Sequence, residues 1–155
     1  MNRWAEQYKL VRSGLKQVAQ KRISRWLEHY RLYNCISCGQ QWQASLMSGG
    51  LSDNFCLYKV PTIKVSEWLA EHYICPTAIV AFNKSIKTFL QQDFVQKLEE
   101  CRDTGCVERA VTASVFCLRH QIESLIEAGS LAPRPKGRWF GPYSADMVSL
   151  SKYLE

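Results

Sequence analysis

The sequence lacks the features that would place a chain in a membrane, in a secretory pathway or in a common enzyme class. It has no run of about eighteen apolar residues, which a spanning helix requires, and its first ten residues lack the apolar stretch of a secretory signal. It has only three histidines, and it contains no Gly-rich phosphate loop, no G-x-S-x-G and no H-E-x-x-H motif. We therefore expect a cytoplasmic, non-enzymatic protein with reduced thiols and no contact with a membrane.

The positive charge is concentrated in one part of the sequence. The 155 residues are 46% hydrophobic, which is enough for one core or two small subdomains, and the net charge is +6. Residues 1–34 hold eight Lys and Arg against two Glu, whereas the rest of the chain holds twelve basic and twelve acidic residues. Such a local excess favours a polyanionic partner, and a solvated basic helix is the alternative.

The same N-terminal segment has the periodicity of an amphipathic helix. Its apolar residues recur at steps of three and four, at Trp4, Tyr8, Val11, Leu15 and Val18. We expect this stripe to lie in the core or in the seam of a homodimer. Three basic residues lie off the stripe, where they could contact phosphates, and these are Lys9, Arg12 and Lys16.

Two cysteines in the segment CISCG have the spacing of a zinc knuckle. A tight C-x2-C turn followed by glycine can wrap two thiolates around one ion. The pattern H-x5-C-x2-C-x17-C is formed by His29, Cys35, Cys38 and Cys56. We predict a structural zinc ion at these residues, with His72 or Cys75 as competing fourth ligands. Free cysteines in a reduced core are the alternative.

A second group of cysteines has the spacing C-x4-C-x10-C-x2-H. It consists of Cys101, Cys106, Cys117 and His120. Cys117 and His120 lie one helical turn apart and could both chelate a metal. However, Cys117 falls between Phe116 and Leu118, where a small apolar residue is expected, so we favour core packing for this group.

Residues 61–90 predict two helices joined by a short turn. Ser66 can cap the first helix and Thr77 the second, with Cys75 buried in the turn. In a helix-turn-helix motif the start of the second helix enters the major groove, which would place Thr77 and Lys84 toward DNA. An αα-hairpin of the core is the alternative.

The C-terminal part predicts a helix, a basic β-turn-β and a last helix. Residues 92–109 favour one further helix, and the next helix ends at Gly129. The segment PRPKGR follows, with a turn at Gly137, and the last helix begins near Ser144. Proline stiffens such a turn, so its cationic side chains could contact phosphates, and these are Arg134, Lys136 and Arg138.

The segments LRHQIESLIEAGSLAPRPKGRW and YSADMVSLSKYL together resemble the wing region of mercury-resistance-type (MerR-family) regulators. In that family a helix ends at a Gly-Leu-Leu-like step, a basic wing follows, and a Tyr-Ser-acidic start opens the next helix. That family carries the unit at its N-terminus, before a long dimerising helix, so the resemblance implies a winged-helix DNA-binding unit rather than membership. By position, it implies that Arg119 lies near the DNA-facing helix and that the wing residues touch phosphates.

These patterns together predict a mainly α fold, with a helix-turn-helix or winged helix, a small β-hairpin wing and a zinc knuckle. We expect residues 1–60 to form the basic helix and the knuckle, and residues 61–155 to form a helical domain with units at 61–90 and 111–155. The first hypothesis for function is a DNA-binding transcriptional regulator, for instance of a mobile element or phage. The second is a zinc-stapled α-helical adaptor or small subunit of a larger nucleoprotein assembly, in which the nucleic acid could be RNA.

Overall fold

The computed structural model describes residues 14–22, 29–46 and 55–154. About 30% of the structure is helical and 28% is strand, so the prediction of a mainly α fold is wrong. The chain divides into two compact units. The first comprises Met1–Thr77 and Lys136–Tyr143, and the second comprises Ala78–Pro135 and Ser144–Glu155. The boundary expected at residue 60 therefore lies inside the first unit.

The first unit contains a four-stranded antiparallel sheet in which each strand pairs with the next one along the chain. Its strands are β1 (Leu15–Arg22), β2 (His29–Cys35), β3 (Gln41–Leu46) and β4 (Phe55–Lys59). A short helix, α1 (Val65–Ala70), follows the sheet. Its core comprises Leu32, Val60, Ile63, Trp68, Tyr73 and Phe140.

The amphipathic N-terminal helix predicted from the sequence is wrong over its described part. Residues 15–22 pair with residues 29–35 as antiparallel strands, and the register shifts between Gln17 and Ala19. At this bulge the neighbours Val18 and Ala19 both pack against the core, which interrupts the alternation typical of a strand. Residues 1–13 and 23–28, with Lys9 and Arg12, lie outside the described part of the chain.

Two buried glutamines on β3 join the sheet to the segment that follows it. The Gln43 Oε1 atom accepts hydrogen bonds from Trp68 Nε1 at 2.7 Å and from the Tyr73 N–H at 3.0 Å, and its Nε2 donates to the Tyr73 carbonyl at 2.7 Å. Gln41 makes the same pair of contacts with the backbone of Ile63. Polar and apolar residues alternate along β3, but the polar ones are buried, so the pattern alone would assign the core to the wrong face.

The segment predicted to be a hairpin wing contains no strand over residues 131–137. Instead, Arg138 forms an isolated parallel bridge with Tyr73, and its N–H donates to the His72 carbonyl at 2.8 Å. Phe140 then joins the core of the first unit. The predicted β-hairpin wing is therefore wrong, because the chain around Arg138 packs as a single segment against residues 72–74.

The second unit contains most of one long helix, a β-hairpin and three short helical segments. These elements are α2 (Pro76–Phe89, whose first two residues fall in the first unit), β5 (Gln96–Glu100), β6 (Arg109–Val111), α3 (Leu118–Glu127), a 3₁₀ turn (Ala145–Val148) and α4 (Ser151–Leu154). β5 and β6 pair antiparallel, so the helix predicted for residues 92–109 is wrong.

Several helix predictions are confirmed. Helices α1 and α2 lie where the spacing of residues 61–90 placed them, and Cys75 between them is buried. Helix α3 is followed by Gly129, whose φ of 73° is the left-handed conformation that ends helices. The capping residues differ, because α1 begins after Lys64 and Thr77 lies inside α2. Within the described residues, no helix has both the length and the apolarity needed to cross a bilayer.

Candidate metal centre

The turn between β5 and β6 positions two cysteines of the second unit. Cys101 directly follows β5, and its N–H donates to the Glu108 carbonyl at 2.9 Å, which closes the base of the turn. The Cys106 N–H donates to the Asp103 carbonyl at 3.1 Å, and Gly105 adopts a φ of 83° that side chains disfavour. The backbone of the turn thus fixes both cysteines on the same hairpin.

The start of helix α3 supplies two further ligands. Cys117 is the N-cap residue and His120 lies in the first turn, so a spacing of three residues places both side chains on one face. The N-terminus of a helix carries partial positive charge, which stabilises a thiolate there. Hairpin and helix therefore contribute two ligands each.

The four potential ligands converge on one point. The ligand atoms of Cys101, Cys106, Cys117 and His120 all lie within 4.8 Å of one another. His120 Nδ1 is 3.3 Å from the Sγ atoms of both Cys101 and Cys117, and the Sγ atoms of Cys106 and Cys117 are 3.8 Å apart. A tetrahedral ion with metal–sulfur bonds of about 2.3 Å would place neighbouring sulfurs about 3.8 Å apart. The cluster could therefore hold a metal ion.

The protonation of the cluster also favours a cation. Burial raises the pKa of Cys101, but hydrogen bonds from the Cys117 and Asp103 backbone and from His120 bring it down to about 7. Burial and the neighbouring groups raise the pKa of Cys117 to about 12. One thiolate thus disfavours ionisation of the next thiol, and a divalent cation at the centre would offset this repulsion.

A carboxylate lies beside the ring nitrogen of His120 that does not face the cysteines. Asp103 Oδ1 is 3.7 Å from His120 Nε2. In metal sites, a carboxylate at this position fixes the ring orientation and makes the ligating nitrogen more basic. The contact with Cys101 and the charge of Asp103 raise the pKa of His120. Asp103 can therefore orient the ring with Nδ1 toward the sulfurs.

The interpretation of this cluster as core packing is corrected by the geometry. Cys117 is buried, as its apolar neighbours indicated, but its Sγ faces Cys106 and His120. The signal that sequence reasoning missed was the pairing of a C-x4-C turn containing glycine with a C-x2-H step at a helix start. Each motif alone is a weak indication of a metal site, and the hairpin that carries the first motif was predicted to be a helix.

The metal site predicted at His29, Cys35, Cys38 and Cys56 is not brought together. His29 and Cys35 are the first and last residues of β2, about 20 Å apart at 3.3 Å per residue. Cys56 pairs with Ser45, which pairs with Tyr30 near the His29 end of the sheet, and its side chain contacts Cys75. Only Cys35 and Cys38 are in contact with each other.

The residues predicted to contact nucleic acid are distributed over both units. In the first unit, Lys16 and Lys136 are exposed, and Arg138 lies 3.8 Å from Glu71. The Thr77 hydroxyl lies 3.0 Å from Cys75 Sγ. In the second unit, Lys84 and Arg119 are exposed, and Arg134 lies 3.4 Å from Glu123.

The positive charge is not shared evenly between the units. Among the described residues, the first unit has eight Lys and Arg against Glu67 and Glu71, whereas the second unit has eight of each sign. The four strands of the large sheet carry five basic residues and no Asp or Glu. These five are Lys16, Lys21, Arg22, Arg31 and Lys59.

Comparisons with protein-family models, with curated proteins and with solved structures find no match for this chain.

Proposed function

We propose that the chain is a zinc-stapled nucleic-acid-binding protein that contacts phosphates through the sheet of its first unit. The observation that carries this proposal is the charge of the sheet, whose four strands have five basic and no acidic residues. A surface of one sign attracts a polyanion, and Lys and Arg contacts to phosphates supply most of the affinity in binding without sequence preference.

The strand register supports a basic surface on the face of the sheet opposite the core. Arg22 pairs with His29, and Lys59 pairs with Trp42, which in turn pairs with Tyr33. On β2, His29 and Tyr33 point away from the face of Leu32, which lies in the core. Their partners Arg22, Trp42 and Lys59 therefore share this other face. On this face, Arg22 and Lys59 are exposed and Tyr33 is buried. The exposed Lys16 pairs with Asn34 and therefore lies on the face of Leu32.

Zinc is the metal that the second unit would hold. Three thiolates and one imidazole are soft donors, and a Cys₃His tetrahedron is a common structural zinc site with no ligand position left open. The hard cations Mg²⁺ and Ca²⁺ prefer oxygen ligands and larger coordination numbers. The ion would therefore stabilise the hairpin and α3 of this unit rather than act on a substrate.

The second hypothesis from the sequence, a subunit of a nucleoprotein assembly, agrees better with this arrangement than a sequence-specific regulator does. The regulator hypothesis depended on a basic wing next to a helix-turn-helix, and the hairpin wing is absent from residues 131–137. Contacts to phosphates position a protein on nucleic acid but carry no sequence information. A sequence-specific regulator would also need contacts with base edges, which this proposal does not include.

The proposal is tested by removing the two exposed charges from this face of the sheet. We expect Arg22→Gln and Lys59→Gln together to weaken binding to a random 20-base-pair duplex and to single-stranded RNA. Fluorescence anisotropy at several salt concentrations measures the slope of log affinity against log salt. This slope should flatten by about 0.7–0.9 for each phosphate that the variant no longer neutralises.

A matched double variant in the second unit controls for net charge. Lys84→Gln and Arg119→Gln remove the same charge from residues that the sequence had also assigned to nucleic acid. We expect this variant to keep the affinity and salt slope of the parent. An equal effect of both double variants, or none from the sheet variant, would contradict the proposal. A cognate-to-random affinity ratio of 10³ or more, typical of specific DNA binding, would favour the regulator instead.

A further inference from the structure

The C-x2-C segment at the end of β2 forms a tight turn with both thiols on one side. The Cys35 N–H donates to the Gln40 carbonyl at 2.8 Å, and the Gly39 N–H donates to the Cys35 carbonyl at 2.9 Å. Gly39 has a φ of 72°, which lets the chain reverse directly after Cys38. The turn is exposed at Cys38 and at Ile36, whose side chain is 70% exposed.

The turn also provides donors for a thiolate. The Cys38 N–H, the Cys38 thiol and the Ser37 N–H contact the Cys35 sulfur. Backbone N–H groups directed at a sulfur favour its anionic form, which is the form that binds a metal. The exposed Lys59 lines the same surface cavity as Cys35 and Cys38, and its charge would offset that of the thiolates.

Each other cysteine and histidine of the chain has a different partner or position. All seven cysteines and all three histidines lie within the described residues. Three cysteines and His120 form the metal centre of the second unit. Cys56 and Cys75 contact each other, His72 is buried, and His29 lies at the opposite end of β2. No third cysteine or histidine of the first unit joins Cys35 and Cys38, so a tetrahedral site of cysteine and histidine ligands at this turn needs two from another chain.

We propose that Cys35 and Cys38 are half of a zinc site that a second copy of this chain completes with the same two residues. Most homo-oligomers are two-fold symmetric, and such an interface brings a surface patch against its own copy. Four thiolates around one Zn²⁺ give a closed tetrahedron with a net charge of −2, and one Lys59 from each copy would balance it. The exposed Ile36 side chains would be covered in the same interface.

The stoichiometry of zinc distinguishes this arrangement. The chain is purified under reducing conditions, loaded with Zn²⁺ and desalted, and zinc per chain and molar mass are measured by elemental analysis and light scattering. We expect a dimer with about 1.5 zinc ions per chain, one in each second unit and one shared. Cys35→Ser with Cys38→Ser should give a monomer with about 1.0 ion per chain.

Two controls keep the outcome interpretable. Cys56→Ser, which removes a thiol outside both sites, should remain a dimer with the parent zinc content. Cys38→Ser alone removes an exposed thiol and serves if circular dichroism shows that the double variant is unfolded. A parent that binds about 1.0 ion per chain, or a Cys38→Ser variant that keeps 1.5 ions in a dimer, would overturn the proposal. Failure of the charge test on the sheet would leave it unaffected.

Discussion

Gln43 and His72 are buried polar residues of the same unit, but only the side chain of Gln43 has hydrogen-bond partners. Every polar atom of the Gln43 amide has a partner in the residues that follow the sheet. Both ring nitrogens of His72 are buried without a hydrogen-bond partner, and its ring centroid lies 3.7 Å from that of Tyr30. Burial, together with the charge of Lys21, lowers the pKa of His72 to about 4. His72 is therefore a neutral ring packed as an aromatic residue.

This environment makes the first unit sensitive to acid. The unfolded chain takes up a proton at His72 near pH 6.5, whereas the folded unit resists protonation down to about pH 4. The stabilisation is complete above pH 6.5 and is lost as the pH falls toward 4, by an amount on the order of 2 kcal/mol. Urea unfolding followed by tryptophan fluorescence at pH 7.5 and 4.5 measures the loss, which we expect to be smaller in His72→Phe. Equal losses in both proteins would contradict this prediction.

At the scale of elements, the sequence predicts those whose buried residues follow a local periodicity. Helix α2 was found because its buried residues, Ile79, Phe82 and Ile86, recur at helical steps. The β5–β6 hairpin was not found, because Val95 and Leu98 also lie three residues apart, and their side chains are 66% and 88% exposed. A pattern of apolar residues reports a structure only where those residues are buried. The cysteines of the metal centre were visible in sequence, but their convergence depends on this hairpin.

The segment that returns to the first unit depends on one glycine. Gly137 has a φ of 133°, and a Cβ atom there would lie 2.7 Å from the His72 carbonyl oxygen. We expect Gly137→Ala to destabilise the unit by at least about 3 kcal/mol, because backbone strain and a steric clash act together.

Gly39→Ala is the matched control in the same unit. Gly39 has a φ of 72°, but a Cβ atom there would meet nothing within 4 Å. This variant should cost only the strain, about 1–2 kcal/mol. Urea midpoints followed by tryptophan fluorescence compare the two variants. Equal costs would mean that residues 137–140 do not pack as the structure shows.

At the scale of the whole molecule, the two units have different sources of stability. The first has a core of aromatic and aliphatic residues, whereas the second combines buried side chains such as Phe82, Ile86 and Ile122 with the four-ligand cluster. A structural zinc ion in this cluster would contribute about 10–16 kcal/mol, comparable with the entire stability of a small domain. Since the second unit contains no tryptophan in its sequence, tryptophan fluorescence reports on the first unit.

Removal of the metal should therefore separate the signals of the two units. We expect a strong chelator at neutral pH to reduce the helical circular dichroism signal, to which α2 and α3 contribute, while the tryptophan emission maximum stays nearly unchanged. Added Zn²⁺ should restore the helical signal, and Cys106→Ser should reproduce the effect of the chelator. Retention of the helical signal after verified metal removal would show that the cluster does not hold the unit together.

The return of residues 136–143 to the first unit has a consequence for biosynthesis. A ribosome makes the sheet and α1 first, but Phe140, which belongs to their core, emerges only after the whole of residues 78–135. The four residues of the cluster, the last of which is His120, therefore all leave the ribosome before the first unit is complete. With the proposed zinc ion, the second unit could be stabilised while the first unit still lacks a core residue. A shortage of zinc during translation would then delay the folding of the second unit.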